Sequence, residues 1–392
     1  MGPFHGITVL DLTRVLSGPY CTMLLADLGA RVLKVEQPGK GDDTRAWGPP
    51  FLEGESAYFL SVNRNKESLT LNFKHPDGLA LLHALLAKAD VLVENFRPGT
   101  LTKLGLDYEN IKTLYPRLVY CSISGFGHTG PRSAEAGYDA VMQAEGGLMS
   151  ITGAGDGPPF RLGVAIADIV TGMFGAQGIS AALFARERTG GGQKVDIAML
   201  DSVAALLTYQ AGIFFATDSP PRRMGNRHPT IVPYETFTAS DGDFVIAVGN
   251  DDQWRKFCDV TGIPKEERFA TNRQRVTGYA ELRPVVAQRL ASAPRATWIE
   301  GLKRAGVPCG SVRDLGELFD DPQVAARRMV EEIDHATIGA MRVLGTPFKL
   351  SGTGAAVRTA PPTLGQHTDA ILANDLGRTG SDIAALRTAG VI

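Results

Sequence analysis

The 392-residue sequence has few cysteines, no excess of charge of either sign, and no metal-ligand spacing. Its four cysteines lie far apart without a Cys-x-x-Cys pair, which is typical of a reduced, intracellular protein. The seven histidines are equally scattered, so we expect no metal site. Forty basic and 42 acidic residues give a net charge of −2, which argues against nucleic acid or an anionic membrane as the main partner.

The sequence also lacks recognisable targeting and membrane signals. Residues 1–5 show no basic start followed by the apolar stretch of a signal peptide. The longest apolar stretch, 163–184, is interrupted by Asp168, Gln177 and Ser180, which argues against a membrane span. We therefore expect a cytoplasmic protein that does not enter a membrane.

What the sequence contains is the composition of a folded protein with several domains. Hydrophobic residues make up 44% and charged residues 21%, which excludes extended disorder. The length suggests two or three domains. Glycine occurs 45 times, above the average of ~7%, so we expect many tight turns and close backbone contacts.

Short β-branched runs alternate with helical patterns over the first two hundred residues. Predicted strands cover 7–10, 32–35, 69–73, 91–94, 118–124 and 194–197, and predicted helices cover 21–28, 76–89, 165–188 and 201–216. This alternation predicts an α/β fold in which helices cover a parallel, or mostly parallel, sheet.

The pattern changes after Pro220 and Pro221, which indicate a domain linker. Short predicted strands at 235–238 and 244–248 are followed by several short helices, as in an α+β domain. We predict a large domain over 1–218, a smaller α+β domain with its linkers over 219–305, and a return to the large domain over 306–392.

The segment from Gly125 to Gly130 matches the Gly-x-Gly-x-x-Gly motif and follows a predicted strand. However, Pro131 comes directly after the third glycine, and no acidic residue ends a second strand about twenty residues later. The pattern favours a turn, or a glycine loop close to another ligand, over dinucleotide binding.

Asp168 is an acidic residue inside an otherwise apolar helical pattern. It shares one helix face with Gly172 and Gly175, where missing side chains leave room for close approach. A buried carboxylate is costly unless it is paired, neutralised or functional. Taken alone, this position suits a structural role, such as an N-cap or a buried ion pair, as well as it suits catalysis.

Five basic residues lie near the ends of predicted strands or in the loops that follow them. In an open α/β sheet, ligands bind at the edge formed by the ends of the strands, and several cations there would suit a polyanionic ligand. Each of these residues taken alone is explained as a solvated surface charge. They are Arg14, Lys34, Lys66, Arg97 and Lys103.

A set of short segments, dense over the first 250 residues, resembles the family III CoA-transferases, also called the CaiB/BaiF family. The matching segments are Asp11-Leu-Thr-Arg-Val-Leu-Ser17-Gly-Pro19, Leu28-Gly-Ala-Arg-Val-Leu-Lys34-Val-Glu36, Asn63-Arg-Asn-Lys66, Glu94-Asn-Phe-Arg-Pro-Gly99, Gly125-Phe-Gly127, Gly137-Tyr138-Asp139, the Asp168 segment, Gly192-Gln-Lys-Val-Asp196 and Met224-Gly-Asn226. Around Tyr138 and 221–229 the chain is most similar to the members that use succinyl-CoA and accept dicarboxylates, of the succinate–hydroxymethylglutarate type.

The resemblance implies a fold and an assembly. It implies a Rossmann-like large domain with a parallel sheet, a smaller α+β domain, and an interlocked homodimer in which two chains thread each other like links. The predicted linkers near 219–223 and 305–312 suit the chain crossings. The resemblance implies no tightly bound cofactor, because coenzyme A enters as an acyl-CoA substrate.

The resemblance also implies site residues, with Asp168 as the nucleophile. To the CoA-binding set we assign Val15, Leu16, Lys66, Arg97, Lys103 and Tyr138. At Leu16 the formyl-CoA member has a glutamine, and its glycine-rich flap is not evident near 230–241. These departures argue against formyl-CoA:oxalate specificity.

The predicted enzyme is a CoA-transferase of the EC 2.8.3 type that moves CoA from an acyl-CoA, with succinyl-CoA preferred, to a carboxylic acid. Asp168 would carry an anhydride and then a CoA thioester. Arg222, Arg223 and Arg227 suggest a dicarboxylate substrate, although solvated linker charge explains them equally well.

The alternative is a 2-methylacyl-CoA racemase of the same family. That branch has a histidine where this sequence has Tyr138, and tyrosine, with a pKa near ~10, is a poor base at neutral pH. An NAD-dependent oxidoreductase and a non-catalytic CoA-binding protein are the hypotheses from other classes.

Overall fold

The chain forms two units and enters the second one twice, and both units are described by a computed structural model of all 392 residues. Unit 1 consists of Met1–Leu148, Arg161–Gly212 and Pro322–Ile392, and unit 2 of Met149–Phe160 and Ile213–Asp321. Unit 2 is larger than the predicted small domain, 219–305. One reason is that strand Cys309–Ser311, which we placed in the returning segment, pairs with the sheet of unit 2.

The structure contains thirteen β-strands. In chain order they are β1 (Thr8–Asp11), β2 (Arg31–Glu36), β3 (Phe51–Leu52), β4 (Glu55–Ser56), β5 (Lys66–Thr70), β6 (Val91–Glu94), β7 (Val119–Ser124), β8 (Lys194–Ala198), β9 (Tyr234–Ala239), β10 (Gly242–Ala247), β11 (Cys309–Ser311), β12 (Val330–His335) and β13 (Gly339–Leu344).

Seventeen α-helices accompany the strands. They are α1 (Ser17–Asp27), α2 (Ala57–Val62), α3 (Pro76–Leu86), α4 (Tyr108–Ile111), α5 (Asp139–Glu145), α6 (Leu148–Ile151), α7 (Ile166–Thr189), α8 (Met199–Leu206), α9 (Thr208–Thr217), α10 (Asp251–Thr261), α11 (Asn272–Thr277), α12 (Tyr279–Leu290), α13 (Arg295–Arg304), α14 (Leu315–Phe319), α15 (Pro322–Ala326), α16 (Thr368–Leu376) and α17 (Gly380–Thr388).

Unit 1 is built on a six-stranded sheet with the order β5-β2-β1-β6-β7-β8. All five pairings are parallel, which confirms the predicted α/β fold with a parallel sheet. Numbered within the sheet, the order is 3-2-1-4-5-6, the order of doubly wound nucleotide-binding sheets. The direction of winding reverses between β1 and β6, and ligands bind at such a reversal, beyond the carboxyl ends of the strands.

Alternation along each strand separates the core of unit 1 into two layers. Because successive side chains point to opposite faces, Val9 packs with α1 and α7, whereas Leu10 packs with α3, α16 and α17. The same division holds for Val32 and Leu33, and for Val91 and Leu92. Burial on both faces explains why these strands appear in the sequence as continuous apolar runs.

The C-terminal segment completes the second layer. Ile371, Leu372 and Val391 are almost fully buried in the same cluster as Leu10. The backbone N–H of Asn72 donates to the carbonyl of Val391 at 2.7 Å. Residues far apart in the sequence therefore close one face of the sheet.

Helix α7 approaches α1 so closely that two of its positions exclude a side chain. A Cβ atom at Gly172 would lie 2.6 Å from the carbonyl oxygen of Ser17, and one at Gly175 would lie 3.0 Å from Sγ of Cys21. The predicted close approach along this face is confirmed.

By length and composition, α7 is the one unbroken helix that could cross a membrane. However, 56% of its apolar window is buried within the protein. Its apolar residues Ile179, Ala182 and Leu183 pack against the sheet and α1. The apolar composition of α7 is therefore explained by its place in the core.

Unit 2 has its own core and a three-stranded antiparallel sheet, β11-β10-β9. Helices α10, α12 and α13 cover it, with Trp254, Phe257 and Trp298 buried among apolar strand residues. This is the α+β arrangement expected for the smaller domain.

The prediction of one continuous helix over 201–216 is wrong. The structure has α8 and α9 instead, because Thr208 adopts a left-handed backbone with φ of 35°. A β-branched residue rarely takes this conformation, and no glycine or proline at the break signals it in the sequence.

We expect Gly172→Ala to lower the free energy of unfolding by about 1–3 kcal/mol, because the new methyl group meets backbone atoms of α1. Urea unfolding followed by circular dichroism measures the change. Gly380→Ala is the matched control, since nothing lies within 4 Å of that helical position. Equal stability of both variants would contradict the tight contact.

Candidate active site

A cleft of about 130 Å³ lies at the winding reversal of the unit 1 sheet. Its walls come from the loops that follow β1, β6 and β7, from the segment before α5, and from the start of α7. The lining residues used below are Arg14, Val15, Ser17, Asn95, Phe96, Arg97, Gly125, Gly137, Tyr138 and Asp168. Asp168 therefore lies where this type of sheet binds ligands.

Asp168 occupies the first turn of α7 and is 8% exposed. Burial, followed by the nearby negative charge of Asp139, raises the pKa of Asp168 to about 7. Hydrogen bonds from the side chain and the backbone N–H of Ser17 act in the opposite direction and favour the carboxylate. The result is a buried carboxyl group that gains or loses its proton near neutral pH.

Asp139 supplies the cap that α7 lacks. The residue before the helix, Ala165, has no side chain that can cap it. Instead, Asp139 accepts the backbone N–H of Ala167 at 2.9 Å and the side-chain amide of Gln143 at 2.7 Å. This contact fixes the start of α7 and places a second negative charge near Asp168.

The loop after β1 is held in place before it enters the cleft. Asp11 accepts hydrogen bonds from Thr13 and Thr22, and the backbone N–H of Val15 donates to Asp42 at 3.2 Å. Val15 itself has φ of 71°, a strained conformation for a β-branched residue. This strained residue comes just before α1 and lines the cleft.

The neighbouring loop after β6 is tied to the first one. Arg14 and Asn95 exchange two hydrogen bonds between backbone and side chain, at 2.9 and 2.7 Å. The backbone N–H of Phe96 donates to Glu94 at 2.9 Å. The two loops therefore form one connected wall.

Two arginines give this wall a positive charge. The guanidinium of Arg14 lies 5.3 Å from the centre of the Phe96 ring and 3.4 Å from Asp43. Arg97 is exposed and forms no ion pair. The wall can therefore bind an anionic group of a ligand.

The predicted nucleophile and three of the six predicted CoA-binding residues meet in the cleft. Val15, Arg97 and Tyr138 line it together with Asp168. Tyr138 is 62% exposed. The structure thus brings together residues that are up to 153 positions apart in the sequence, from Val15 to Asp168.

The other three predicted CoA-binding residues do not line the cleft. Leu16 is buried against Met23 and Val62. Lys66 is fully buried, and its Nζ contacts Asp11 at 3.1 Å, the Pro19 carbonyl at 2.9 Å and Asn63 at 3.0 Å. Lys103 is exposed outside the cleft. Protein acceptors therefore surround the Lys66 ammonium group, which forms an ion pair with the buried Asp11.

Other predicted cations are also engaged within their own units. Lys34 is buried and paired with Asp42 at 2.9 Å. In unit 2, Arg223 donates to the carbonyl of Gly157 at 3.0 Å, and Arg227 lies 3.4 Å from the centre of the Tyr279 ring. These contacts give both arginines a structural explanation.

The glycine motif forms a turn. A Cβ atom at Gly125 would lie 2.8 Å from the backbone nitrogen of Gly137, so two backbone segments touch beside the cleft. The next helix begins only at Asp139. As predicted, the motif does not open a helix. No group of three or more His, Cys, Asp or Glu residues is arranged to hold a metal ion.

Sequence reasoning missed two residues beside the nucleophile. Ser17 lies within a motif but was not assigned a role. Tyr58, in α2, is close enough that burial and then the negative charge of Asp168 raise its pKa to about 12. No sequence pattern marks Tyr58, because α2 is short and lies more than a hundred residues before Asp168.

Comparison with known proteins gives consistent matches along the chain. Residues 4–368 match the model of CoA-transferase family III. A succinyl-CoA:glutarate CoA-transferase of Mus musculus is 44% identical, with 100% of this chain and 91% of the relative covered. A succinate–glutarate CoA-transferase of Agrobacterium fabrum is 43% identical, with 95% of each chain covered. A crystal structure of a CAIB/BAIF family protein from Brucella suis has a TM-score of 0.85 at 44% identity, with 95% of this chain and 99% of that chain covered.

We expect Asp168→Asn to be more stable than the native chain at pH 8, by at most about 4 kcal/mol, because the raised pKa means that folding disfavours the ionised form. The advantage is full above pH 7, shrinks as the pH falls and is absent below about pH 4, where the native carboxyl is protonated in both states. Urea unfolding at pH 8 and pH 5 measures it. Exposed Asp156→Asn should change neither value, and no stabilisation of Asp168→Asn would contradict the burial cost.

Proposed function

This chain belongs to CoA-transferase family III, and we propose that it transfers CoA from succinyl-CoA to a dicarboxylic acid through Asp168. The observation that carries the proposal is the position of Asp168. It is a buried carboxyl group without an ion-pair partner, and it faces a cleft. Relatives named for succinyl-CoA and glutarate support the choice of substrates.

A carboxylate nucleophile fits CoA transfer because the energy of the thioester must be conserved. In the first step the carboxylate of Asp168 attacks the acyl carbonyl of succinyl-CoA. The C–S bond breaks, CoA leaves as a thiolate, and an aspartyl–acyl anhydride remains.

The second step moves CoA onto the enzyme. The thiolate attacks the aspartyl carbonyl, the C–O bond of the anhydride breaks, and succinate leaves with the electron pair. The acceptor carboxylate then reverses both steps and departs as the new acyl-CoA. Burial of Asp168 limits hydrolysis of these intermediates.

The cleft wall supports the proposed binding of anionic substrates. We propose that Arg97, with Val15 and Tyr138, contacts CoA, and that Arg14 supplies further positive charge for a carboxylate. Leu16, Lys66 and Lys103 stay predictions that rest on the family resemblance. Because CoA thioesters are intracellular substrates and three of the four free cysteines are buried, we also propose a cytoplasmic protein.

We further propose the interlocked homodimer, on the evidence of apolar side chains that the single chain leaves uncovered. Helix α9 has no buried residue, although it carries Phe214 and Phe215. Phe215 is 77% exposed. A contiguous apolar helix of this kind is typical of a surface that a second chain covers.

The transfer reaction is tested by one incubation in D₂O with succinyl-CoA, a branched 2-methylacyl-CoA and a panel of mono- and dicarboxylic acids, followed by mass spectrometry. We expect new acyl-CoA species, with glutarate and similar dicarboxylates favoured. Asp168→Ala should abolish transfer, because no nucleophile remains, and should leave the fold intact.

Two outcomes would contradict this proposal. Near-native transfer by Asp168→Ala would show that Asp168 is not the nucleophile. Deuterium in the 2-methylacyl-CoA without any new thioester would indicate the racemase reaction instead.

We expect Phe215→Asp to prevent dimer formation, because a charge would be buried at the proposed interface. Light scattering should give about twice the 41.8 kDa chain mass for the native protein and a smaller mass for the variant. Ala385→Asp adds the same charge to exposed positions of α17 and serves as the control. A native protein of single-chain mass would contradict the assembly.

A further inference from the structure

We propose that Glu94 is a positioning residue for CoA, whose ionised carboxylate holds the cleft segment 95–97 in place by accepting the backbone N–H of Phe96. This inference rests on the proposed function and names the residue that fixes the CoA-binding wall. It is carried by a hydrogen-bonded network of Glu94, Ser122 and His128, which we call the Glu94 network and which the transfer steps do not use.

The sheet brings the Glu94 network together at the carboxyl ends of its strands. Glu94 ends β6, and the register pairs Glu94 with Ser122 on β7 and Ser122 with Asp196 on β8. His128, in the loop after β7, is tied to this row because its backbone N–H donates to Asp196 at 3.1 Å. Glu94 and Ser122 are buried, whereas His128 is partly exposed.

Glu94 connects the network to the cleft. One carboxyl oxygen, Oε2, accepts the backbone N–H of Phe96 at 2.9 Å, and the other, Oε1, bonds to the Ser122 hydroxyl. That hydroxyl also bonds to Nε2 of His128. Phe96 and Arg97 both line the cleft. A change at Oε2 therefore acts on the backbone that carries these two residues.

The network has two hydrogen-bond arrangements that differ by one proton. The backbone N–H of Phe96 can only donate, so Oε2 stays an acceptor and a proton on Glu94 lies on Oε1. When Glu94 is ionised, Ser122 donates to Oε1 and accepts the Nε2–H of His128. When Glu94 is protonated, it donates to Ser122, which then donates to Nε2 of His128. Because a hydrogen bond to a carboxylate is roughly twice as strong as one to a neutral group, the ionised form holds Phe96 more firmly.

The surroundings of Glu94 let it change its charge near neutral pH. Burial raises the pKa of Glu94 to about 7, against the hydrogen bonds from Ser122 and Phe96. The titratable groups around it come from β1, β7, β8 and the loop after β7, and they are Asp11, Tyr120, Cys121, His128, Lys194 and Asp196.

These neighbours leave Glu94 without an ion pair. Lys194 lies 3.9 Å from Asp196, and Asp11 is paired with Lys66, so their charges largely offset one another. Burial raises the pKa of Tyr120 and of Cys121 and lowers the pKa of His128, which favours the neutral form of each. Within the network, Glu94 is thus the group whose proton controls the bond to Phe96.

Glu94→Gln tests the proposal, because its amide oxygen can accept from Phe96 while its NH₂ group donates to Ser122, as the protonated acid does. Binding of free CoA is measured by calorimetry in the Asp168→Asn background, where the nucleophile does not titrate. We expect Glu94→Gln to weaken CoA binding about 3- to 10-fold at pH 8 and less than about twofold at pH 6, where native Glu94 is protonated. Loss of the charge alone would act in the opposite direction, because a less negative wall attracts an anion more strongly.

Two further variants check the assignment. Ser122→Ala removes a donor to the ionised carboxylate, so the pH at which CoA binding weakens should move upward by about one unit. This variant also tests the proposal if Glu94→Gln does not fold. Glu187→Gln makes the same change at an exposed position of α7 and should leave the affinity for CoA unchanged.

A folded Glu94→Gln protein would overturn this inference if it bound CoA with native or higher affinity at pH 8, or with the same loss at both pH values. A native pH dependence of CoA binding in Ser122→Ala would also overturn it. Loss of transfer in Asp168→Ala would still uphold the proposed function.

Discussion

The close contact between α1 and α7 is the constraint on which the site depends. Two glycines on α7 remove the side chains that would hold the helices apart, and the start of α1 then packs against the helix that carries Asp168. The sheet supplies the cleft, and this contact places the start of α1 and the start of α7 together in its wall. Packing and chemistry are thus set by the same pair of helix surfaces.

In unit 1 several buried charges are neutralised by ion pairs, whereas the buried carboxyl groups of Asp168 and Glu94 have no ion-pair partner. Below the cleft, Lys66 pairs with Asp11, and Lys34 pairs with Asp42, all with side chains that are fully buried. Such pairs offset the cost of burial and fix the loop after β1. Asp168 has no ion-pair partner, and burial together with the negative charge of Asp139 raises its pKa to about 7, so no cation competes for its carboxyl group.

Much of this arrangement was predictable from the sequence, because it depends on periodicity. The strands of the parallel sheet, the long helix α7 and the shared face of Asp168 and Gly172 all follow from the spacing of apolar residues and glycines. The division of α8 from α9 could not be predicted, since it depends on the backbone of Thr208.

The site was predictable only in part, for a related reason. Motif resemblance predicted Asp168, Val15, Arg97 and Tyr138 as site residues, and the structure brings these four together in the cleft. It assigned Lys66 to CoA, whereas the structure surrounds that ammonium group with protein acceptors. Whether a cation faces a ligand or a buried carboxylate depends on three-dimensional neighbours that the sequence does not list, and Tyr58 was missed for the same reason.

The closure of the unit 1 sheet by its C-terminal segment has a consequence for biosynthesis. The sheet of unit 2 is complete once residue 311 has been made, whereas the leucine-rich face of the larger sheet, covered in part by α3, is completed only when residues 371–392 have been made. From the end of unit 2 at Asp321, another 71 residues must be translated, which takes about 4–14 s at ~5–20 residues/s. During that interval the smaller unit can fold on the ribosome, while the larger one presents an open apolar surface to chaperones and to neighbouring nascent chains.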